Sequence, residues 1–183
     1  ATMKVEAAAV MPPTARVVVV GDSGVGKSAL VTRFAGDKFR SDLAATVGVD
    51  CAMRTMEVRE SDGGAASSVK LQVWDTAGAE RVGAITRAYL RNARVAVVVF
   101  SLEAPARTAP SVAKWVEEVR EHSPQAQVVV VGSQSDRADQ DVADANAAGF
   151  WLRPDVFFPS ADLPNYHCVS AKTNDGVERL FRH

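Results

Sequence analysis

Gly21-Asp22-Ser23-Gly24-Val25-Gly26-Lys27-Ser28 reads G-x-x-x-x-G-K-S, and its surroundings decide the fold. Before it stands Val17-Val18-Val19-Val20, a β-branched apolar run suited to a buried strand. After it, Ala29-Leu30-Val31-Thr32-Arg33-Phe34 carries helix-compatible spacing. Strand, glycine loop and helix are the context in which this motif cradles phosphates. Glycines let the backbone curl so that successive N–H groups point inward, at the positive end of the helix that follows. Lys27 would reach the β- and γ-phosphates of a nucleotide, and the Ser28 hydroxyl would ligate Mg²⁺.

The rest of the chain continues the alternation. A polar run over residues 36–45 holds one aromatic, Phe39, and reads as a loop. Val47 to Val58 and Val69 to Trp74 read as an antiparallel hairpin, joined by the turn-rich residues 60–68. Asp75-Thr76-Ala77-Gly78 then breaks the second strand. Val95 to Phe100 and Val128 to Val131 are continuous apolar runs, as in strands buried on both faces. Between them Val112, Trp115, Val116 and Val119 recur at helical spacing, which turns Trp115 toward the core. A helix from Val142 to about Leu152, an irregular Pro-rich segment at 154–164, a short strand at His167-Cys168-Val169 and a last helix from Val177 complete the order. Strands alternating with helices predict an α/β domain with a mostly parallel sheet, right-handed crossovers and helices on both faces. Ligands in such sheets sit beyond the carboxyl ends of the strands. Residues 1–14 read as a flexible leader and 15–183 as a single domain.

Composition excludes several classes. With 183 residues, 47% hydrophobic and 23% charged, the chain has the makeup of an ordinary globular domain. A net charge of −1 gives no field favouring nucleic acid or an anionic membrane. Cys51 and Cys168 lie far apart without metal-ligand spacing and read as buried, reduced thiols of a cytosolic protein. His122, His167 and His183 form no constellation in the sequence.

Asp75-Thr76-Ala77-Gly78 at a strand end suits an acid on the metal side of a phosphate site. Asp75 would hold the ion through water, and the Gly78 N–H would meet a γ-phosphate. Thr46, in the loop ahead of the hairpin, would complete the metal shell and couple that loop's order to the γ-phosphate.

These segments together, GDSGVGKSALVTRF at 21–34, TVGVD at 46–50, KLQVWDTAGAER at 70–81 and SAK at 170–172, resemble the small Ras-like GTPases, the Rab subfamily most closely. The resemblance runs from Arg16 to the C-terminal helix. It implies a P-loop small G domain with a six-stranded sheet in which one strand is antiparallel, and a GTP/GDP switch with Mg²⁺. It also implies that residues 23–29 (Ser23, Gly24, Val25, Gly26, Lys27, Ser28 and Ala29) line the phosphates. Ser28, Thr46 and Asp75 would form the metal site, and Lys27, Thr46 and Gly78 the catalytic set. Phe39 would cover the guanine edge. Asp136 would accept from the guanine ring N–H and amine, with Ser170, Ala171 and Lys172 completing the base site. Partners would be trafficking effectors, an exchange factor and a GTPase-activating protein, met through the switch loops and a Cys51/Trp74/Leu90 patch.

Three departures bear on function. Ala79 stands where the family usually has a water-orienting Gln, and a methyl group neither donates nor accepts a hydrogen bond, so slow intrinsic hydrolysis is expected. Ser133-Gln134-Ser135-Asp136 replaces N-K-x-D, and a looser hold on loop and base is expected. The chain ends at His183 without the terminal cysteines that carry a lipid in Rab proteins, so membrane attachment through such a tail is not read from it. A nucleotide-bound interaction module with negligible turnover is the rival reading.

Overall fold

The computed structural model describes residues 12–36, 39, 46, 49–58, 67–76, 84–147 and 165–182. The chain runs β1 (Thr14–Val20), α1 (Lys27–Phe34), β2 (Val49–Val58), β3 (Ser67–Thr76), α2 (Ala84–Leu90) and β4 (Val95–Ser101). It continues through α3 (Pro105–Thr108), α4 (Ser111–His122), β5 (Gln127–Ser133), a 3₁₀ turn at Ser135–Arg137, α5 (Gln140–Ala147), β6 (Asn165–Cys168) and α6 (Val177–Arg182). The strands form one sheet in the order β2-β3-β1-β4-β5-β6. Among the described residues only the β2–β3 pair is antiparallel; β1–β3, β1–β4, β4–β5 and β5–β6 are parallel. The expected α/β architecture is therefore the observed one.

Side-chain alternation explains why helices cover both faces. Val17 and Val19 turn to one side with Val97, Val99, Val129 and Val131, where Leu30, Val31 and Phe34 of α1 and Val177 and Leu180 of α6 close over them. Val18 and Val20 turn to the other side with Ala96, Val98 and Phe100, against Val112, Trp115, Val116 and Val119 of α4. A strand covered on both faces has no polar alternation to show, which is why β4 reads VAVVVFS.

Several boundaries differ from those expected. Asp75 and Thr76 do not break β3 but belong to it, since Asp75 pairs with Val19 of β1 and with Asp50 of β2. The Thr76 hydroxyl donates to Val19 O at 2.7 Å, tying the strand end to β1. Ser67 and Ser68 lie in β3 because they pair with Val58 and Glu57. β5 continues through Gly132 and Ser133, which pair with Phe100 and Ser101. α5 covers Gln140–Ala147, starting two residues before Val142. β6 ends at Cys168, ahead of Val169. At the N-terminal end the sheet takes in Thr14, and Pro13 O accepts from Lys70 N at 2.9 Å. Residues 1–11, 37–38, 40–45, 47–48, 59–66, 77–83, 148–164 and 183 lie outside the described residues, and with them most of the predicted leader, the hairpin tip and the Pro-rich segment.

Leu90 requires a correction. Expected on a surface patch, it is fully buried at 0% exposure among the residues packed on α4. Its neighbour Tyr89 takes the outward position, with its ring centroid 4.8 Å from that of Trp74. One step along a helix rotates a side chain by about 100°, enough to exchange surface for core. The two cysteines are also corrected: neither forms a disulfide among the described residues, but each is half-buried rather than enclosed.

Candidate nucleotide site

The phosphate-binding loop leaves β1 at Gly21, whose φ is +142°. A Cβ there would stand 2.2 Å from Val99 O, so the loop can pass β4 only as glycine. Gly26, at φ +90° and ψ 19°, turns the chain into α1 in a left-handed conformation that other residues reach only at a cost. Between them Val25 is fully buried on the α1 side of the sheet, which leaves its backbone alone to face a ligand. Ser23 and Gly24 are exposed, while Ser28 and Ala29 are half-buried in the first turn of α1.

Lys27 is 5% exposed, and its ammonium donates to Gly21 O at 2.9 Å and Asp22 O at 2.7 Å. Burial lowers its pKa to about 8 against the opposing pull of Asp75 and Asp22. Asp75 is 4% exposed, and burial raises its pKa, opposed by the Ser28 hydroxyl, Lys27 and the Thr46 hydroxyl. The two opposite charges share a desolvated site, and each is pushed toward its neutral form.

The structure brings Ser28, Thr46 and Asp75 together. The hydroxyls of Ser28 and Thr46 lie 2.6 Å apart, and Thr46 donates to Asp75 Oδ2 at 3.4 Å. Asp75 Oδ1 is buried without a hydrogen-bond partner among the described residues. Two hydroxyl oxygens and a carboxylate, one of whose oxygens has an unused valence, are the hard-oxygen donors that Mg²⁺ takes. These residues therefore fit the ion. Gly78 and Ala79 lie outside the described residues.

At the far end of the same sheet edge, Ser170 donates from Oγ to Asp136 Oδ1 at 2.6 Å. Lys172 Nζ stands 3.8 Å from Asp136 Oδ2, with its side chain 62% exposed and that of Asp136 only 13%. Asp136 is thus a held carboxylate rather than a solvated one. Ala171 is half-buried in the turn between them. Phe39, the expected guanine cover, is 36% exposed.

The replaced positions Ser133 and Gln134 both make contacts that tie the loop to its neighbours. Ser133 Oγ lies 2.5 Å from Val25 O and 2.9 Å from Phe100 O, so one short hydroxyl reaches the phosphate loop and β4 together. Gln134, in the left-handed region at φ 57°, accepts from the Ser101 hydroxyl and donates from Nε2 toward Gly24 O at 3.5 Å.

Two contacts escaped the sequence reading. Trp115 does face the core, at 4% exposure, yet its Nε1 donates to Asp22 Oδ1 at 2.9 Å and steadies the phosphate loop. Arg33, in the last turn of α1, donates from Nε to Ala171 O at 2.6 Å and from Nη2 to Lys172 O at 3.1 Å. Helical periodicity detects the buried face of Trp115 but carries no signal for the far partner of its N–H. His122, read as isolated, has ligand atoms of Glu118 and Glu121 close by; its Nδ1 lies 3.0 Å from Glu118 O and 3.7 Å from Glu118 Oε2 within one helical turn.

Outside the site, Cys51 and Trp74 are register partners on the hairpin. Trp74 carries the Arg16 guanidinium 5.4 Å from its ring centroid. No helix among the described residues is long and apolar enough to cross a membrane.

Comparison with known proteins agrees with this geometry. A profile of the Ras family matches residues 16–183. The chain is 39% identical over 168 residues to Ras-related protein RABA4b of Arabidopsis thaliana, covering 91% of this chain and 72% of that one. Against Ras-related protein SEC4 of Saccharomyces cerevisiae it is 36% identical over 168 residues, or 91% and 71% of the two chains. Against Ras-related protein Rab-1A of Dictyostelium discoideum it is 35% identical over 167 residues, or 91% and 76%. With a matching six-stranded sheet and a phosphate loop in place, the chain belongs to the Ras family, as a Rab-like small GTPase.

Proposed function

We propose that the protein is a guanine-nucleotide switch that binds GTP and GDP with Mg²⁺, hydrolyses GTP slowly, and recruits membrane-trafficking effectors. The observation that carries this reading is the convergence of Lys27, Ser28, Thr46 and Asp75 at the strand ends, with the held carboxylate of Asp136 on the same edge. Ser28, Thr46 and Asp75 would hold the ion. Bound there, Mg²⁺ neutralises charge that develops on the transferred phosphoryl group. Lys27 binds the β- and γ-phosphates, and the backbone N–H groups of residues 23–29 orient them. Gly78 would offer its N–H to the γ-phosphate. Asp136 accepts from the two guanine donors, a pattern that adenine lacks, and Ala171 and Lys172 close over the base.

Thr46 couples the state of the nucleotide to its loop, because its hydroxyl serves the metal site while its backbone belongs to the segment leading into β2. The effector surface is Cys51, Trp74 and Tyr89 between the two loops, joined by Arg16. Ala79 leaves the attacking water without a side-chain partner.

Identifying the nucleotide released on denaturing the purified protein tests the reading. GTP in the released fraction supports a slow switch; an adenine nucleotide would overturn the base assignment. In single-turnover phosphate release, Ala79→Gln is expected to raise the rate by about 10- to 100-fold. An unchanged rate would remove Ala79 as the cause.

A further inference from the structure

Asp136 is held by a chain of hydrogen bonds that starts on a different element. Its Oδ1 accepts from Ser170 Oγ at 2.6 Å. That same Oγ accepts from Thr173 N at 3.1 Å. The peptide that supplies this N–H has the carbonyl of Lys172 at its other end, and Lys172 O accepts from Arg33 Nη2 at 3.1 Å. One residue earlier, Ala171 O accepts from Arg33 Nε at 2.6 Å. Ser170 is 1% exposed, and its own N–H is spent on Asp175 O at 3.0 Å.

We propose that Arg33 is a positioning residue for base recognition: its guanidinium fork on the carbonyls of Ala171 and Lys172 sets Ser170, and through Ser170 sets the carboxylate of Asp136. This inference rests on Asp136 as the guanine reader and extends it to a residue on the phosphate-loop helix. Two mechanisms act in the same direction. The planar fork fixes two successive peptide planes, which a single flexible ammonium cannot do. A positive charge on the Lys172 carbonyl also polarises that peptide, strengthens the Thr173 N–H as a donor, and so strengthens the Ser170 O–H toward Asp136. The Ser170 hydroxyl has one proton, and with Thr173 N–H filling its acceptor side that proton goes to Asp136. Asp136 Oδ1 is thereby oriented, and its remaining lone pairs stay available to the base. Because Arg33 sits six residues after Lys27 on α1, the base site and the phosphate site share one rigid helix.

The test compares GDP with inosine diphosphate, which lacks only the exocyclic amine that Asp136 reads. Affinities are measured by displacement of a fluorescent nucleotide from the full chain, for the wild type, Arg33→Gln, Arg33→Lys and Ser170→Ala. Arg33→Gln is expected to reduce the preference for GDP over inosine diphosphate by about tenfold, and Arg33→Lys by less. Ser170→Ala, which cuts the last link, is expected to match Arg33→Gln, and the double variant to lose no more than either alone. Equal losses for the two nucleotides would overturn the inference, reducing Arg33 to a structural support. So would an unchanged preference in Ser170→Ala, which remains decisive if Arg33→Gln does not fold. A wild type that does not distinguish the two nucleotides would overturn the role of Asp136 itself, and the inference with it.

Discussion

The two ends of the site solve opposite problems. At the phosphate end Lys27 and Asp75 are charged groups drawn out of water, each pushed toward neutrality, with Asp75 Oδ1 left unpartnered. At the base end Asp136 is satisfied in advance by Ser170, its loop is tied by Ser133 and Gln134, and the facing turn at Ala171 and Lys172 is tied by Arg33. The first end keeps one buried carboxylate oxygen, Asp75 Oδ1, open to a ligand beside a partly deprotonating lysine. The second is built of met valences that hold a shape. Affinity should therefore respond steeply to changes at the phosphate end, and stability and selectivity to changes at the base end.

The largest effect should come from removing the buried cation. Lys27→Met is expected to weaken GDP binding by about 100-fold, the scale of two lost charge-assisted hydrogen bonds, in a nucleotide-displacement assay. A loss of only a few fold would show that the backbone cradle carries the phosphates without it.

Next comes pH. In the free protein Lys27 has a pKa of about 8, and bound phosphates favour its charged form and raise that value. Above pH 8 binding must take up a proton, so affinity falls as pH rises; below 8 the proton is already present and affinity is flat. GDP affinity is expected to drop about tenfold between pH 7 and pH 9, and Lys27→Met is expected to abolish that slope. A slope that survives in the variant would assign the titration to another group.

The smallest effects sharpen the contrast. Ser133→Ala leaves the carbonyls of Val25 and Phe100 without this donor and should cost about 1–2 kcal/mol in chemical unfolding of the GDP-bound protein. Trp115→Phe keeps the ring in the core but removes the donor to Asp22, and should speed GDP release by about fivefold with stability changed by less than about 1 kcal/mol. Release at the wild-type rate would make that indole contact a matter of packing alone.

Much of this was legible in the sequence because local pattern carried it. A G-x-x-x-x-G-K-S between a strand and a helix requires particular backbone angles, and residues 21–28 meet them. Continuous apolar runs named β4 and β5, since strands buried on both faces leave no room for polar residues. Ser28, Thr46 and Asp75 were also within reach, as members of separate motifs whose order implied one site.

What only the tertiary structure decided concerns directions and distant partners. Leu90 and Tyr89 are adjacent in sequence, and the packing of α2 chose which one is buried. Asp75 and Thr76 look like a turn until β1 and β2 lie alongside and supply ladder partners. Arg33 reaches carbonyls 138 and 139 residues away, and Trp115 reaches a carboxylate 93 residues away. The sequence by itself determined the alternation of strands and helices and the chemistry of the phosphate loop, because both depend on neighbours along the chain. The hold of Arg33 on the turn beside Asp136 was decided by the fold alone, because a hydrogen bond to a backbone carbonyl leaves no mark on the identity of the residue that accepts it.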